Sequence, residues 1–232
     1  AQEAGNTELA DEQLERAAEL MWEYCQGTGF QNFGHILLTG EWFAAVGRYQ
    51  DADRAYAAAV DRFEGRLDNA TLDEPKIGLA LVRDAQLEFG RSRDLWVALV
   101  DRNPRVPRIM TGAARSFGGW LAVGDDGTIS EIPGSGHYDD ALELWTALLK
   151  SASVTAKYQE PWWEAKLGAI YVLHRAGAAD QQFSTQARKL IENQKLLTPN
   201  YDEDTMSSLP PEVQFEPRFK PLFRYLDRVV AQ

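Results

Sequence analysis

The chain has 232 residues, 44% of them apolar, which suits one sizeable domain or a short array of repeated units and excludes wholesale disorder. Its formal net charge of −11 argues against a nucleic-acid binder, which needs a basic face to neutralise phosphate. No run approaches about eighteen consecutive apolar residues, so nothing reads as a membrane span, and the single Cys25 forms neither an internal disulfide nor a thiolate metal cage.

The sequence starts Ala-Gln-Glu-Ala-Gly, which is compatible with a mature end left by a signal peptidase or with a boundary of other origin. The expected setting is therefore periplasmic or extracellular, with the cytoplasm as the alternative. A first helix is predicted over about residues 7–25, with acidic residues loaded into its early turns to suit the helix dipole. Cys25, near its end, reads as a buried structural thiol. Gly27-Thr28-Gly29 breaks the helix. It lacks the third glycine of a dinucleotide fingerprint, because Asn32 stands in that place.

Next comes a helical hairpin over 30–63. In its second half Tyr49, Ala52, Tyr56, Ala59 and Val60 share one face, while Asp51, Asp53, Arg54 and Asp61 face away. Alanines on that face let another helix approach closely, and the rings fill the grooves beside them. Gly47 ends the preceding helix, where Ile36, Gly40 and Phe43 line up and Gly40 marks a tight crossing. A second hairpin is expected over 75–102, with Pro75 as its starter and Asn103-Pro104 as its stop. A third covers 106–151, where Tyr138, Ala141, Trp145 and Leu148 repeat the spacing of Tyr49, Ala52, Tyr56 and Ala59. A fourth covers 161–197, carrying Leu167-Gly168 and Tyr171, with Thr198-Pro199 as its stop. A last helix over about 217–230 presents Phe219, Leu222, Phe223 and Leu226 as a cover for the open face of the fourth hairpin.

These residues resemble the tetratricopeptide-repeat family. Gly40, Phe43, Gly47, Tyr49, Ala52, Tyr56 and Ala59 match its pattern in register, although Ile36 replaces the usual Trp and Thr39 the usual Leu. Ile77-Gly78-x-x-Leu81 is a weaker echo. Glycines 47, 90, 136 and 177 read as hairpin turns at intervals of 43, 46 and 41 residues. Those intervals exceed the family's usual repeat of about 34, so loops must be longer or repeats decorated. The stretches Trp162–Lys166 and Lys195–Pro199 resemble terminal repeats of secreted bacterial members, and Phe215–Leu226 resembles a bacterial closing segment. The resemblance implies an all-α fold, an α-solenoid of antiparallel helix hairpins in one domain over 1–232. It says next to nothing about function, because this scaffold hosts many roles.

One piece is irregular. Residues 118–136 are too long for a hairpin link, and Asp126-Gly127 between short apolar runs signals a turn, as in a small β-hairpin insert. The insert reads as a structural clip in which Trp120 and Ile132 cover the helices, as a binding loop, or as plain disorder.

Catalytic signals are weak. His35, His137 and His174 are scattered, the first and third as satisfied helix residues and the second as a solvated one. Ala114-Arg115-Ser116-Phe117-Gly118 lacks the preceding strand of a nucleophile elbow. Tyr201-Asp202-Glu203-Asp204 lacks the spacing of a calcium loop and reads as a solvated turn. Arg102, Arg105 and Arg108, with Arg91 and Arg93, form the only basic concentration. It is diluted by Asp94 and Asp101, and it could grip a carboxylate or pair with neighbouring acids. Seven tryptophans are many, and most fall at core positions. In Trp162-Trp163 adjacent rings point about 100° apart, so one is expected to face a groove or a partner.

The expectation is a noncatalytic scaffold or accessory subunit without cofactor or metal. It would engage another protein or a peptide segment, within a multiprotein complex, through Phe43, Trp120, Trp162, Trp163, Tyr171, His174, Arg105 and Arg108. The alternatives are a self-assembling structural subunit, or a small-ligand binder or enzyme with its site under the 118–136 loop.

Overall fold

The computed structural model describes residues 2–124, 126–155, 157, 159–197 and 219–231. The acidic cluster at 201–204, the stop at 198–199 and the stretch 215–218 lie outside them. Among the described residues the chain is all-α apart from one two-stranded antiparallel sheet, and within each of two units helices next to each other in sequence pack as neighbours, in the manner of a helical repeat. The chain divides into two compact units, 1–103 and 104–232.

The first unit contains α1 (Gln2–Gly27), α2 (Phe33–Ala45), α3 (Tyr49–Phe63), α4 (Asn69–Ala85) and α5 (Phe89–Arg102), each packed on the next up to α4 and α5. Ala52, Tyr56 and Ala59 enter the core as the spacing of Gly47–Val60 requires, whereas Tyr49, at the first turn of α3, is exposed and Val60 is half-buried. Tyr56 of α3 stands between two glycines: a Cβ on Gly40 of α2 would lie 2.7 Å from the Tyr56 ring, and one on Gly78 of α4 would lie 2.5 Å from it. Ala18, Phe43, Ala52, Leu79 and Val82 close around that ring. A second cluster, with Cys25, Ile36 and Ala59 at its centre, sits toward the α1 end of the unit, and burial pushes the Cys25 thiol up against a weaker pull from Thr39.

The second unit contains α6 (Pro107–Gly118), β1 (Trp120–Val123), β2 (Ile129–Ile132), α7 (Tyr138–Thr155), α8 (Glu160–Ala176), α9 (Gln181–Leu197) and α10 (Lys220–Val230). Helix α8 is its centre: α6, α7, α9, α10 and β1 all touch it. Trp145 of α7 repeats the role of Tyr56, because a Cβ on Gly168 of α8 would lie 2.5 Å from its indole. Phe219, Phe223, Leu226 and Val230 bury against Trp163, Ile170 and Ile191, so α10 covers α8 and α9.

The three repeated helices share one register. Each starts with an aromatic residue (Tyr49, Phe89, Tyr138), buries a small one three positions on (Ala52, Ser92, Ala141) and a large ring seven positions on (Tyr56, Trp96, Trp145). Two residues before each start the backbone turns left-handed, at Gly47 (φ 75°), Leu87 (φ 61°) and Gly136 (φ 82°). The middle turn therefore lies at Leu87, not at Gly90, which is inside α5. Only glycine enters this region without steric cost, so Leu87 carries strain. Gly177 does close α8 at the turn before α9, in the right-handed region.

The second hairpin starts before Pro75. Helix α4 begins at Asn69, with Asp68 accepting a hydrogen bond from the Thr71 N–H at 2.8 Å, and Pro75 lies in its interior. The two turns ahead of the proline are held by Asp73, which accepts from Arg102 at 2.6 Å and from Asn103 at 2.7 Å at the end of α5.

The insert is a true β-hairpin. Trp120 pairs with Ile132 and Val123 with Ile129 around the turn at Gly127 (φ 79°), where Asp126 accepts from the Thr128 N–H at 2.9 Å. It leaves and rejoins the helical hairpin at one point. The N–H groups of Ser135 and Gly136 donate to the carbonyls of Ser116 and Phe117 at 2.8 and 2.9 Å, capping the end of α6 across the insertion. A Cβ on Gly134 would lie 2.3 Å from the Gly119 nitrogen, so this crossing demands glycine.

Two substitutions to alanine should have opposite signs in urea denaturation. Gly168→Ala is expected to cost roughly 1–3 kcal/mol by overpacking against Trp145. Gly90→Ala, which meets open space within α5, is expected to gain about 0.5 kcal/mol through helix propensity. Leu87→Gly should raise stability by roughly 0.5–1 kcal/mol through relief of its left-handed strain, measured the same way; a loss would show that the exposed leucine contributes more than its backbone costs.

Candidate functional site

The second unit holds a cleft of about 350 Å³. One wall is β1, supplying Trp120, Leu121 and Val123. The opposite side is the start of α10, supplying Phe219, Pro221 and Leu222. Between them lies α8, with Leu167, Gly168 and Tyr171, and beneath it Trp145 of α7. Arg115 of α6 and Glu160 and Glu164 of α8 complete the lining, and Arg115 donates to Glu164. The cleft exists because the insert folds back over α8 while α10 packs on the same helix and meets both strands.

A polar clip holds these walls. Glu131 of β2 accepts from Arg175 of α8 at 2.7 Å and from the Tyr225 hydroxyl of α10 at 2.5 Å. The Tyr171 hydroxyl lies 3.5 Å from the same carboxylate and 3.3 Å from Arg175. Burial works against the Glu131 charge, but the Tyr225 hydrogen bond and the Arg175 guanidinium outweigh it and hold this carboxyl below its ordinary value. Burial, then the Glu131 charge, pushes the Tyr171 phenol up to about 12. Burial lowers His174, against the opposing pull of Glu131.

Trp120 and Tyr171 are thus brought together, as cleft walls. The Tyr171 ring itself is buried in the core, with only its hydroxyl side serving the clip. His174 is half-buried near Glu131 and does not line the cleft. Trp162 and Trp163 do not divide into one core and one exposed ring. Their exposures are 6% and 0%. The reason is that α8 is covered on several sides. Trp162 turns toward the end of α7 and donates to Ser153 at 3.1 Å, and both rings belong to the core cluster that α9 and α10 cover. Their rings meet edge to face, with centroids 4.7 Å apart. The Lys166 ammonium lies 4.8 Å from the Trp162 ring centroid and donates to Gln194; burial, then the Lys157 charge, brings its pKa down to about 8.

Phe43 belongs to the first unit, where it is buried with the Arg48 guanidinium 4.9 Å from its ring centroid; it offers no accessible face. Arg105 and Arg108 are exposed at the start of the second unit and do not line the cleft. His35 differs from the expected satisfied residue: its ring meets Tyr24 with centroids 5.6 Å apart, and its buried Nδ1 has no hydrogen-bond partner among the described residues. His137 is exposed, with Nδ1 at 3.0 Å from the Ser135 hydroxyl. Among the described residues no group of three His, Cys, Asp or Glu is placed to hold a metal ion, and no helix is long and apolar enough to cross a membrane.

Sequence reasoning missed Arg115, Glu160, Glu164, Trp145 and Pro221 as cleft residues. Glu160 and Glu164 sit four apart on one helix face, which was a readable signal. Their convergence with Arg115 was not, because it crosses 49 residues.

Compared with protein-family models, with curated proteins and with solved structures, the chain has no match.

The clip sets a pH dependence. Glu131 is held below its ordinary value, so its contribution is present above the unfolded value and is lost as pH falls through the folded one. The stability difference between the parent and Glu131→Gln is expected to shrink as pH drops from about 6 to about 3, followed by thermal melts across that range. A constant difference would show that Glu131 is not charged in this network.

Proposed function

We propose that the chain is a noncatalytic helical-repeat protein of the tetratricopeptide type, which engages another protein by gripping a short peptide segment in the cleft between β1, α8 and α10. The observation that carries this reading is the cleft itself: apolar side chains from four separate elements converge on about 350 Å³ of space, with charged residues Arg115, Glu160 and Glu164 beside them. Such a concave apolar site with a few polar groups is the usual form of a recognition pocket, and buried aromatic anchors carry most of the energy at protein interfaces. The tetratricopeptide assignment is supported by the shared register of α3, α5 and α7 and by the glycines that receive Tyr56 and Trp145.

The cleft volume also falls at the lower end of the range for small-molecule pockets, which favours a small-ligand binder as the second reading. A random-peptide display selection separates them. The parent chain is expected to enrich peptides sharing one bulky apolar residue, and Val123→Arg, at the half-exposed end of β1, is expected to weaken them at least about tenfold with an unchanged melting temperature. Failure to enrich any peptide, alongside a thermal shift with small organic ligands that Val123→Arg abolishes, would replace the first reading by the second.

A further inference from the structure

The inserted hairpin is a sheet of two strands, so each strand has one edge that pairs with nothing in the sheet. The phase of the ladder tells which backbone groups lie on those edges. The Gly124 N–H donates to the Thr128 carbonyl at 2.8 Å, and the register continues through Val123↔Ile129 and Ala122↔Ser130. In an antiparallel pair, hydrogen-bonded and non-hydrogen-bonded positions alternate. Trp120, Ala122 and Gly124 therefore turn their N–H and C=O groups to β2, while Leu121 and Val123 turn theirs outward. Helices α8 and α10 pack on β1, yet no hydrogen bond reaches those outward groups from any described residue.

Such an edge is a template for another strand, and proteins blunt it with charge, proline or a bulge. Trp120-Leu121-Ala122-Val123 has none of these. The strand is also within reach, since its first three residues are half-buried and Val123 is exposed. The cleft lies along this edge. Its lining takes Trp120 from one face of the hairpin, Leu121 and Val123 from the other, and no described residue of β2. The Leu121 face looks onto α8, because Leu121 packs against the core cluster there and Glu131, opposite it, reaches Arg175. The β2 edge differs, because it carries the charged Glu131 and its residues do not line the cleft.

Resting on the peptide-binding reading above, we infer that the partner's segment binds as an extended strand, added antiparallel to the open edge of β1 and exchanging main-chain hydrogen bonds with Leu121 and Val123. Strand addition draws affinity from the main chain and specificity from alternate side chains. Residues directly opposite each other in a sheet share a face. The partner residue opposite Leu121 thus points its side chain to the α8 side, into the cleft. The one opposite Val123, two positions earlier in the partner, lies at the mouth, and the residue between them faces away. A second copy of the chain is a poor occupant. Its β1 comes flanked by its own α8 and α10, whereas a single strand brings only side chains into about 350 Å³.

The test uses the full chain labelled with nitrogen-15 and the capped pentapeptide Thr-Val-Thr-Leu-Thr, whose leucine is placed opposite Leu121 and whose valine is placed opposite Val123. In the free chain the Leu121 and Val123 amides are expected to exchange with solvent faster than that of Ala122, and saturating peptide is expected to slow those two alone. N-methylation of the peptide leucine removes the N–H that meets the Leu121 carbonyl and is expected to weaken binding about tenfold, the upper value of one net hydrogen bond. N-methylation of the central threonine, whose N–H points away from β1, is expected to leave affinity unchanged. Val123→Pro removes one outward N–H, keeps the bonds to β2 and is expected to weaken the peptide similarly. The methylated peptides act on the parent chain, so they decide the matter even if that variant folds poorly. If both methylated peptides bind as the parent peptide does, and the Trp120 side-chain resonance moves while Leu121 and Val123 exchange unchanged, strand addition is overturned and the cleft remains a peptide site. If the two amides slow with chain concentration alone and sedimentation shows a dimer, a second copy occupies the edge and the inference is likewise overturned. If neither this peptide nor any from the display selection moves a cleft resonance, the peptide-binding reading falls with it.

Discussion

The close seating of a large ring on a glycine of the neighbouring helix organises both units. Tyr56 lies between Gly40 and Gly78, and Trp145 lies on Gly168. In each case the ring is too close for any Cβ, so the helix axes approach to the distance that the ring alone sets. Interiors are close-packed, and an added methyl at such a contact has nowhere to go. The neighbouring positions follow from it: Ala52 and Ala141 must be small because the helices are already close, while Phe43 and Leu79 fill the flanks of the ring.

That packing explains how the chain carries an insert without losing its repeat. The turn before α7 keeps the left-handed residue and the carbonyl capping seen before α3, with Gly136 in the place of Gly47. The β-hairpin starts and ends at the contact between Gly119 and Gly134, so it adds a wall rather than separating the helices it interrupts. Its outer strand is then pinned from two sides, by Arg175 of α8 and Tyr225 of α10, both on Glu131. The cleft is the space those constraints leave between β1, α8 and α10. Its depth comes from Trp145 being a floor for the cleft and a core ring for the helices at once.

Much of the fold was legible because helical periodicity and glycine placement are local signals. The register of Tyr49, Ala52, Tyr56 and Ala59 and its recurrence at Tyr138 lead directly to α3 and α7. The readings that failed each needed a non-local fact. Gly90 was an attractive turn by residue type, but the chain turns at Leu87, where packing of Trp96 and Ser92 against Asp84 overrides a leucine's dislike of positive φ. Pro75 was an attractive helix start, but Asp73, held by Arg102 and Asn103, extends α4 before it. Trp162 and Trp163 could be divided into inside and outside only on the assumption that one face of α8 is free, and α8 has neighbours on several sides.

The sequence by itself determined the helical class, the hairpin register, the presence of a turn at Asp126-Gly127 and the apolar face that Phe219, Phe223 and Leu226 share, since each depends on residues within a few turns of one another. The tertiary structure alone decided which large apolar residues remain reachable. Phe43, Trp162 and Trp163 go into cores, whereas Trp120, Val123 and Leu222 become walls of a cleft whose floor is Trp145. Exposure is set by what the rest of the chain lays over a residue, and for these residues that cover arrives from elements tens of positions away.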